Sequence, residues 1–344
     1  MKTNRLIWVA VSAALFATAA QAEEVVTNRL TLSARLGFNL SARFRGSATS
    51  LTPPARTTPH GNSYNYDDGY VLTDISGNAG GQTWYVGYDN SASQVSGNNI
   101  LMSRSTPGGS FSSPSFGDDP IPGLELTYNG RLGALNGMNY GVEAAGNFMN
   151  ISLHNRSTFS GSVSRVTDAY PFTPGTTPPG ATPGNPYQGS YEGPGFLLGD
   201  TPVSSSTALV PGGITVSGSR KIDADLWGFR LGPYLDFPLA DNVNIWVSGG
   251  LAAGLITADA SWSDIITVPG SGGVNSSGSG HDDAVIWGYF LAANASWDLS
   301  DHWSAVLSVQ YQDLGNYRHN FGGRTVELDL SNSFFLTIGF SRKF

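Results

Sequence analysis

The sequence contains no cysteine, which excludes disulfides, thiolate metal centres and a cysteine nucleophile. Charge is scarce: Asp, Glu, Lys and Arg make up 13% of residues and the formal balance is −8. That balance excludes the basic footprint through which proteins hold nucleic acid. Beyond the N-terminus no run of 18 or more apolar residues occurs, so no transmembrane helix is expected. Also absent are the G-x-S-x-G elbow, the H-E-x-x-H zinc pair and a Walker loop. No cofactor is expected. What the chain has in quantity is glycine, 44 residues, with 19 prolines, a composition of many turns and little helix.

The N-terminus reads as an address. Lys2 and Arg5 precede an apolar stretch from Leu6 to Ala17, then Ala20-Gln21-Ala22 and Glu23-Glu24. A positive start, a short apolar run and an A-x-A site predict a removed secretory signal over residues 1–22. Residues 23–344 are then expected to form one domain.

Eight segments alternate apolar and polar residues with a period of two, at about 30–44, 123–133, 139–153, 223–238, 242–258, 284–299, 302–315 and 324–344. Such alternation predicts strands with one greasy and one wet face. In the first, Leu30, Leu32, Ala34, Leu36, Phe38, Leu40, Ala42 and Phe44 share a face. In the third, Tyr140, Val142, Ala144 and Phe148 keep phase, and Met149, Ile151 and Leu153 then switch face. Short turns alternate with long connections, the longest at about 45–122 and 154–222. Short turns at one end and long loops at the other are the pattern of a membrane-spanning barrel, and an even strand count puts both ends on the turn side.

Aromatic spacing supports this. Trp287 and Trp297 lie ten residues apart on one face, as do Trp227 and Phe237, and Phe334 and Phe344. Ten residues span roughly 33 Å of strand at about 3.3 Å each. Tilted by about 40°, that is roughly 25 Å, the height of the apolar band of a membrane barrel. A soluble sandwich has no reason to space aromatics so.

The C-terminal stretch, with Thr337, Gly339 and a terminal Phe344, resembles the closing signal of bacterial outer-membrane β-barrels. Arg342 departs from that pattern. The resemblance implies an antiparallel up-and-down transmembrane barrel of eight strands, or ten to twelve if loop strands join the wall. It implies the outer membrane as location, with membrane lipid, lipopolysaccharide and the assembly machinery as partners. An eight-stranded lumen is only wide enough for side chains to fill. Inward positions include Arg35, Arg43, Glu125, Arg131, Glu143, Arg230, Asp236, Glu327 and Asp329. Arg43 is expected near Glu125, Glu327 or Asp329, and Arg131 near Glu143. Such a set is read as a neutralising salt-bridge network rather than a conducting path.

Specific function is expected in the loops. Residues 64–72 and 82–88 carry clustered Tyr and Trp and predict a hairpin extending the wall. Those aromatics suit sugar or protein binding, or simply a core that orders the loop. Asp74 before a Gly/Asn run is a weak calcium suggestion. For catalysis, only His281, Asp283 and His319, with Asp282 and Asp313, are placed to meet at the loop-end rim. That constellation resembles in kind the rims of outer-membrane lipid-A enzymes and proteases, without a residue-by-residue motif. The leading expectation is a non-enzymatic barrel that anchors loops for structure or surface interaction. A narrow channel for small solutes and a rim-site enzyme are the alternatives.

Overall fold

A computed structural model describes residues 28–48, 63–74, 77–189, 195–268 and 273–344. The expected signal over residues 1–22 lies outside the described residues. In chain order the strands begin β1 (Arg29–Phe38), β2 (Ser41–Ala48), β3 (Ser63–Asn65), β4 (Gly69–Leu72), β5 (Gln82–Thr83) and β6 (Val86–Tyr88). One helical turn, α1 (Ser91–Gln94), precedes β7 (Val95–Ser96), β8 (Asn99–Thr106), β9 (Gly109–Ser112), β10 (Ile121–Leu135) and β11 (Met138–Asn155). There follow β12 (Phe159–Pro171), β13 (Leu198–Gly199), β14 (Ser204–Ala240), β15 (Val243–Thr267) and β16 (Gly273–Asp298). The last four are β17 (Trp303–Asp313), β18 (Asn316–Phe321), β19 (Arg324–Asp329) and β20 (Ser333–Lys343). The fold is all-β, and every strand pairing among the described residues is antiparallel.

The expected alternating segments pair in a path that returns on itself. β1 pairs with β10, β10 with β11, β11 with β14, β14 with β15 and β15 with β16. β16 then pairs with β17, β17 with β20, and β20 with β1. Next to this closing pair, Asn28 and Phe344 exchange backbone hydrogen bonds of 3.0 Å in both directions. The β10–β11 turn is Asn136-Gly137, with φ of 51° and 82°. Two positive φ values are what a type I′ hairpin turn demands, and Asn-Gly supplies them at least cost.

The loop strands do not enter this ring. They form a second tier at its far end from the short turns. β14 pairs with β11 over residues 220–236 and with β12 over 204–216, so one strand runs through both tiers. β12 pairs with β9, β9 with β2, β2 with β19, and β19 with β18. β3, β4 and β6 make a separate three-stranded sheet. The expected wall-extending hairpin over 64–72 and 82–88 is therefore corrected: those residues cap the second tier instead. Asn316–Phe321 and Arg324–Asp329 form the β18–β19 hairpin.

Two expected strands are broken. The segment 30–44 splits at Asn39 (φ 63°) and the segment 324–344 at Asn332 (φ 51°). The two asparagines are adjacent, Asn39 Nδ2 donating to the Asn332 carbonyl at 3.0 Å. There the first tier hands over to the second. Alternation continues through Asn39 in sequence, but the turn there swaps faces. Leu30 and Leu32 point outward, whereas Leu40, Ala42 and Phe44 are buried inside at 1% exposure. A one-residue slip in a strand moves every following side chain to the other face.

The same reversal of polarity occurs without a break in β11, β14, β15 and β16. Below the level of Phe148, Trp227, Leu255 and Val285, neighbours across the four strands, the outward face is apolar. Leu231, Leu251, Leu291 and Trp287 are 58%, 69%, 62% and 73% exposed there, and the inward side mixes the polar Glu143, Arg230, Asp236, Ser248 and Asn294 with Ala252, Phe290 and Ala292. Above that level the inside is apolar: Met149, Ile151, Leu153, Ile222, Ala224, Ile256, Ala258 and Ala260 are buried in one cluster. The outside is then Asn150, Ser152, Asp223, Asp225, Thr257, Asp259, His281 and Asp283. Cross-strand bonds tie this polar band together, Asn150 Nδ2 to Asp225 at 2.7 Å, Ser152 Oγ to Asp223 at 2.6 Å and Thr257 Oγ1 to Asp283 at 2.7 Å.

Candidate functional site: lumen, rim and cap

Inside the first tier the strand pleat aims alternate side chains at the axis, and the charged ones find each other. Arg35 on β1 pairs with Glu125 on β10 and donates to Gln310 at 3.1 Å and Gln312 at 3.2 Å. Glu125 also accepts from Arg230 on β14 at 2.6 Å, and Arg230 reaches Glu143 on β11 at 3.3 Å. Glu143 takes further bonds from Asn129 (3.0 Å), Ser248 (3.0 Å) and the Trp246 indole (3.3 Å). Nearer the short turns, Arg29 pairs with Asp236 at 2.7 Å and lies over the Trp246 ring at 4.5 Å. Three arginines thus face three carboxylates, all buried. A buried charge is tolerated when paired and hydrogen-bonded, as here.

The remaining expected lumen residues lie elsewhere. Arg43, beyond the Asn39 turn, donates to Ser115 Oγ at 2.8 Å in an exposed setting. Glu327 accepts from Arg45 at 2.9 Å and Arg318 at 3.0 Å, both of them largely exposed. Asp329 caps its own turn by accepting from Ser331. The breaks at Asn39 and Asn332 carry these three out of the lumen. Glu143 does meet an arginine, but that arginine is Arg230; Arg131 stands opposite Gly141 and lines a polar cleft of about 300 Å³ at the turn-end mouth with Arg29, Asp236 and Lys343. Arg29 escaped the sequence reading because it precedes the first apolar residue, although it is in phase with Arg35.

At the rim the alternation of β16 separates the expected catalytic set. His281 and Asp283 face outward, His281 Nδ1 meeting Asp259 at 3.0 Å and its Nε2 lying 3.7 Å from Asp283. The Asp259 hydrogen bond pushes the His281 pKa up. Asp282 faces the other way and receives His319 Nδ1 and the Tyr317 hydroxyl, each at 2.9 Å. His281 and His319 therefore sit on opposite faces of one strand. The expectation that the set converges is corrected, since neighbours in a strand cannot share a face.

Of the C-terminal residues, Thr337 is buried inward at 3% and Phe344 is outward at 61%. Gly339 lies so close to β1 that a Cβ there would stand 2.2 Å from the Leu32 carbonyl oxygen.

The cap is a small core of its own. Tyr66, Val71, Val86, Tyr88, Ile100, Met102, Tyr170 and Leu198 are each fully buried. The tyrosine hydroxyls are satisfied: Tyr66 donates to Asp168 at 2.7 Å and lies 2.7 Å from the Tyr170 hydroxyl, and Tyr88 donates to the Pro179 carbonyl. Most of the clustered aromatics are thus packing. Asp67 and Asp68 dock the β3–β4 turn onto β8 by accepting from the backbone amides of Ser105 and Ser103, both at 2.7 Å. Burial pushes the Asp68 carboxyl up to about 6.

A folded pKa above the unfolded value means that folding takes up a proton. The cap's extra stability is present below about pH 4 and is lost as pH rises through about 6. The full difference is up to about 3 kcal/mol at about 1.4 kcal/mol per pKa unit. Near-UV circular dichroism melts of the cap at pH 5 and pH 7.5 are expected to show greater stability at pH 5. Asp68→Asn, which cannot ionise, is expected to flatten the difference.

No family model and no curated protein matches this chain. Among solved structures it is similar to Ail, the attachment invasion locus protein of Yersinia pestis, at 9% identity over 92% of this chain and 99% of that one, TM-score 0.28. It is similar to the outer membrane protease OmpT of Escherichia coli at 11% identity over 94% and 99%, TM-score 0.33. A Pseudomonas aeruginosa FadL homologue follows at 8% identity over 93% and 90%, TM-score 0.19. Likenesses this distant carry no functional argument.

Proposed function

We propose that the chain is an eight-stranded bacterial outer-membrane β-barrel, closed by side chains along its axis, that holds a folded cap outside the cell for anchoring or surface interaction. The carrying observation is the reversal of side-chain polarity along β11, β14, β15 and β16. A strand surrounded by water throughout has no reason to turn its apolar face outward over part of its length and inward over the rest. One that leaves lipid for water does, because the greasy face must follow the apolar medium. The apolar belt contacts lipid, and the polar band above it faces lipopolysaccharide headgroups.

The paired charges in the first tier and the apolar cluster in the second favour a closed lumen over a channel. The division of His281 and His319 between two faces of β16 removes the geometric motive for a rim enzyme. From Trp227 at the boundary to Ser204, β14 covers roughly 75 Å of strand at about 3.3 Å per residue. A barrel whose task ended at the membrane would not need it.

Lysine distribution provides the test. Beyond Lys2 the chain has two lysines, Lys221 and Lys343. Lys221 lies in the outer polar band with its side chain 41% exposed, and Lys343 lies at the opposite, turn end. A membrane-impermeant amine reagent applied to intact cells is expected to modify Lys221 and spare Lys343, as read by peptide mass mapping. Modification of neither lysine until the outer membrane is opened would overturn the proposed topology.

A further inference from the structure

We infer that the cap carries a binding cleft for a neutral saccharide, with Trp84 and Tyr85 as its stacking surfaces. This rests on the surface placement proposed above and gives that surface a ligand class. The cleft, about 370 Å³, is lined by Asp74, Asn78, Ala79, Gln82, Thr83, Trp84 and Tyr85.

The aromatics of this loop divide into two sets. Tyr66, Tyr70 and Tyr88 point into the cap and are accounted for by packing and hydroxyl bonds. Trp84 and Tyr85 are only partly buried and lie outside that core. Successive residues of a strand would point to opposite sides. These two fall between β5 and β6, where the Tyr85 amide donates back to Thr83 Oγ1 at 3.0 Å. The local turn brings both rings to one cleft, centroids 6.5 Å apart and planes inclined at 44°. Two inclined rings form a V that suits a flat ligand with apolar faces. The Trp84 indole N–H is buried and has no hydrogen-bond partner among the described residues. A buried donor left unpaired is costly, and an acceptor brought by a ligand would relieve that cost.

The polar lining selects the ligand further. Asp74, Asn78, Gln82 and Thr83 are carboxylate, amide and hydroxyl, the groups that bond to sugar hydroxyls in both directions. The Asp74 carboxylate is held in place by the Ala79 amide at 2.9 Å. Among the described residues the lining contains no Lys, Arg or His, which argues against phosphorylated, sulfated or carboxylated glycans. A pyranose offers what remains: C–H faces to stack on aromatic rings and an edge of hydroxyls. The volume is at the lower end of small-molecule sites, roughly 300–1,000 Å³, and fits one or two sugar units rather than a buried polymer.

The test uses the full chain refolded in detergent, which separates it from the question of membrane topology. An array of neutral mono- to tetrasaccharides and of sulfated and sialylated counterparts is probed, and hits are titrated by tryptophan fluorescence. Binding to at least one neutral sugar is expected, with Trp84→Ala and Tyr85→Ala each weakening it at least tenfold. Trp84→Phe, which keeps the stack and loses the N–H, is expected to fall between. Tyr64→Ala, an exposed aromatic outside the cleft, should leave binding unchanged. Near-UV circular dichroism confirms a folded cap, and if Trp84→Ala unfolds it, Tyr85→Ala and Trp84→Phe decide. No neutral sugar bound, binding only to charged glycans, or binding indifferent to both Trp84→Phe and Tyr85→Ala would overturn the proposal. Lysine labelling bears on the topology alone, so the two readings fail separately.

Discussion

Glu125→Ala is expected to destabilise the folded barrel by about 3–5 kcal/mol, the cost of leaving buried charge without its partner. Glu125 stands between two arginines, Arg35 and Arg230, whose side chains are 1% and 3% exposed. Removing it leaves both facing the lumen with one carboxylate, Glu143, in reach of Arg230 alone. Glu125→Gln keeps an acceptor and loses the charge, so a smaller loss is expected. Arg43→Ala provides the contrast. The sequence places Arg43 in the same network, whereas the fold leaves it on an exposed bond to Ser115. Surface changes of that kind stay within about 0.5 kcal/mol. Urea unfolding in detergent micelles measures all three. A Glu125→Ala loss no larger than that of Arg43→Ala would contradict the paired-charge account of the lumen.

The difference between Arg35 and Arg43 shows what period-two reasoning can and cannot resolve. Alternation identifies which residues share a face, and the alternating segments do form antiparallel strands, two of them broken at Asn39 and Asn332. It does not say which face is inside. Through Asn39 the pattern continues unbroken, and only a left-handed asparagine marks the place where Leu40, Ala42 and Phe44 turn inward. In β11 the change at Met149 looked like a lost phase. The geometry there is continuous, and it is the burial of the apolar residues that changes face, from outward at Phe148 to inward at Met149. β14 was hard to read for another reason. Pro211-Gly212-Gly213 has the composition of a loop, yet it lies within the strand near a register shift against β12, with Gly212 at φ 71°.

The candidate sites were legible to a lesser degree. Glu125 and Arg230 were recognisable as inward because their neighbours alternate strictly. Their pairing depended on strand order, which a single sequence does not contain. Asp264 on β15, bonded to Arg220 at 2.7 Å and Arg324 at 3.2 Å, joins three strands of the second tier and left no local signal. In the cap, Tyr66 and Trp84 look alike as members of an aromatic cluster. Only packing separates the buried hydroxyl network of the first from the open cleft of the second.

The second large effect bears on the membrane itself. Ile338 is 65% exposed on the outward face of β20, between Ala34 of β1 and Leu307 of β17. It lies between Phe334, four residues before it, and Phe344, six residues after it, the outward aromatics that bracket the apolar belt on this strand. If that belt lies in lipid, an arginine at its centre costs about 2–4 kcal/mol, falling to about 0–1 kcal/mol near the interface. On the same premise the native Arg342, outward four residues further along β20, would stand at the edge, where its long stem would let the charge reach headgroups. Ser279 on β16, outward above the boundary, is the control for the watery tier. Reversible unfolding from phospholipid vesicles is the direct measurement. The account predicts that Ile338→Arg lowers stability by about 2–4 kcal/mol while Ser279→Arg changes it by no more than about 0.5 kcal/mol. Equal stability of Ile338→Arg and the parent chain would mean that the belt faces water, and would contradict the account.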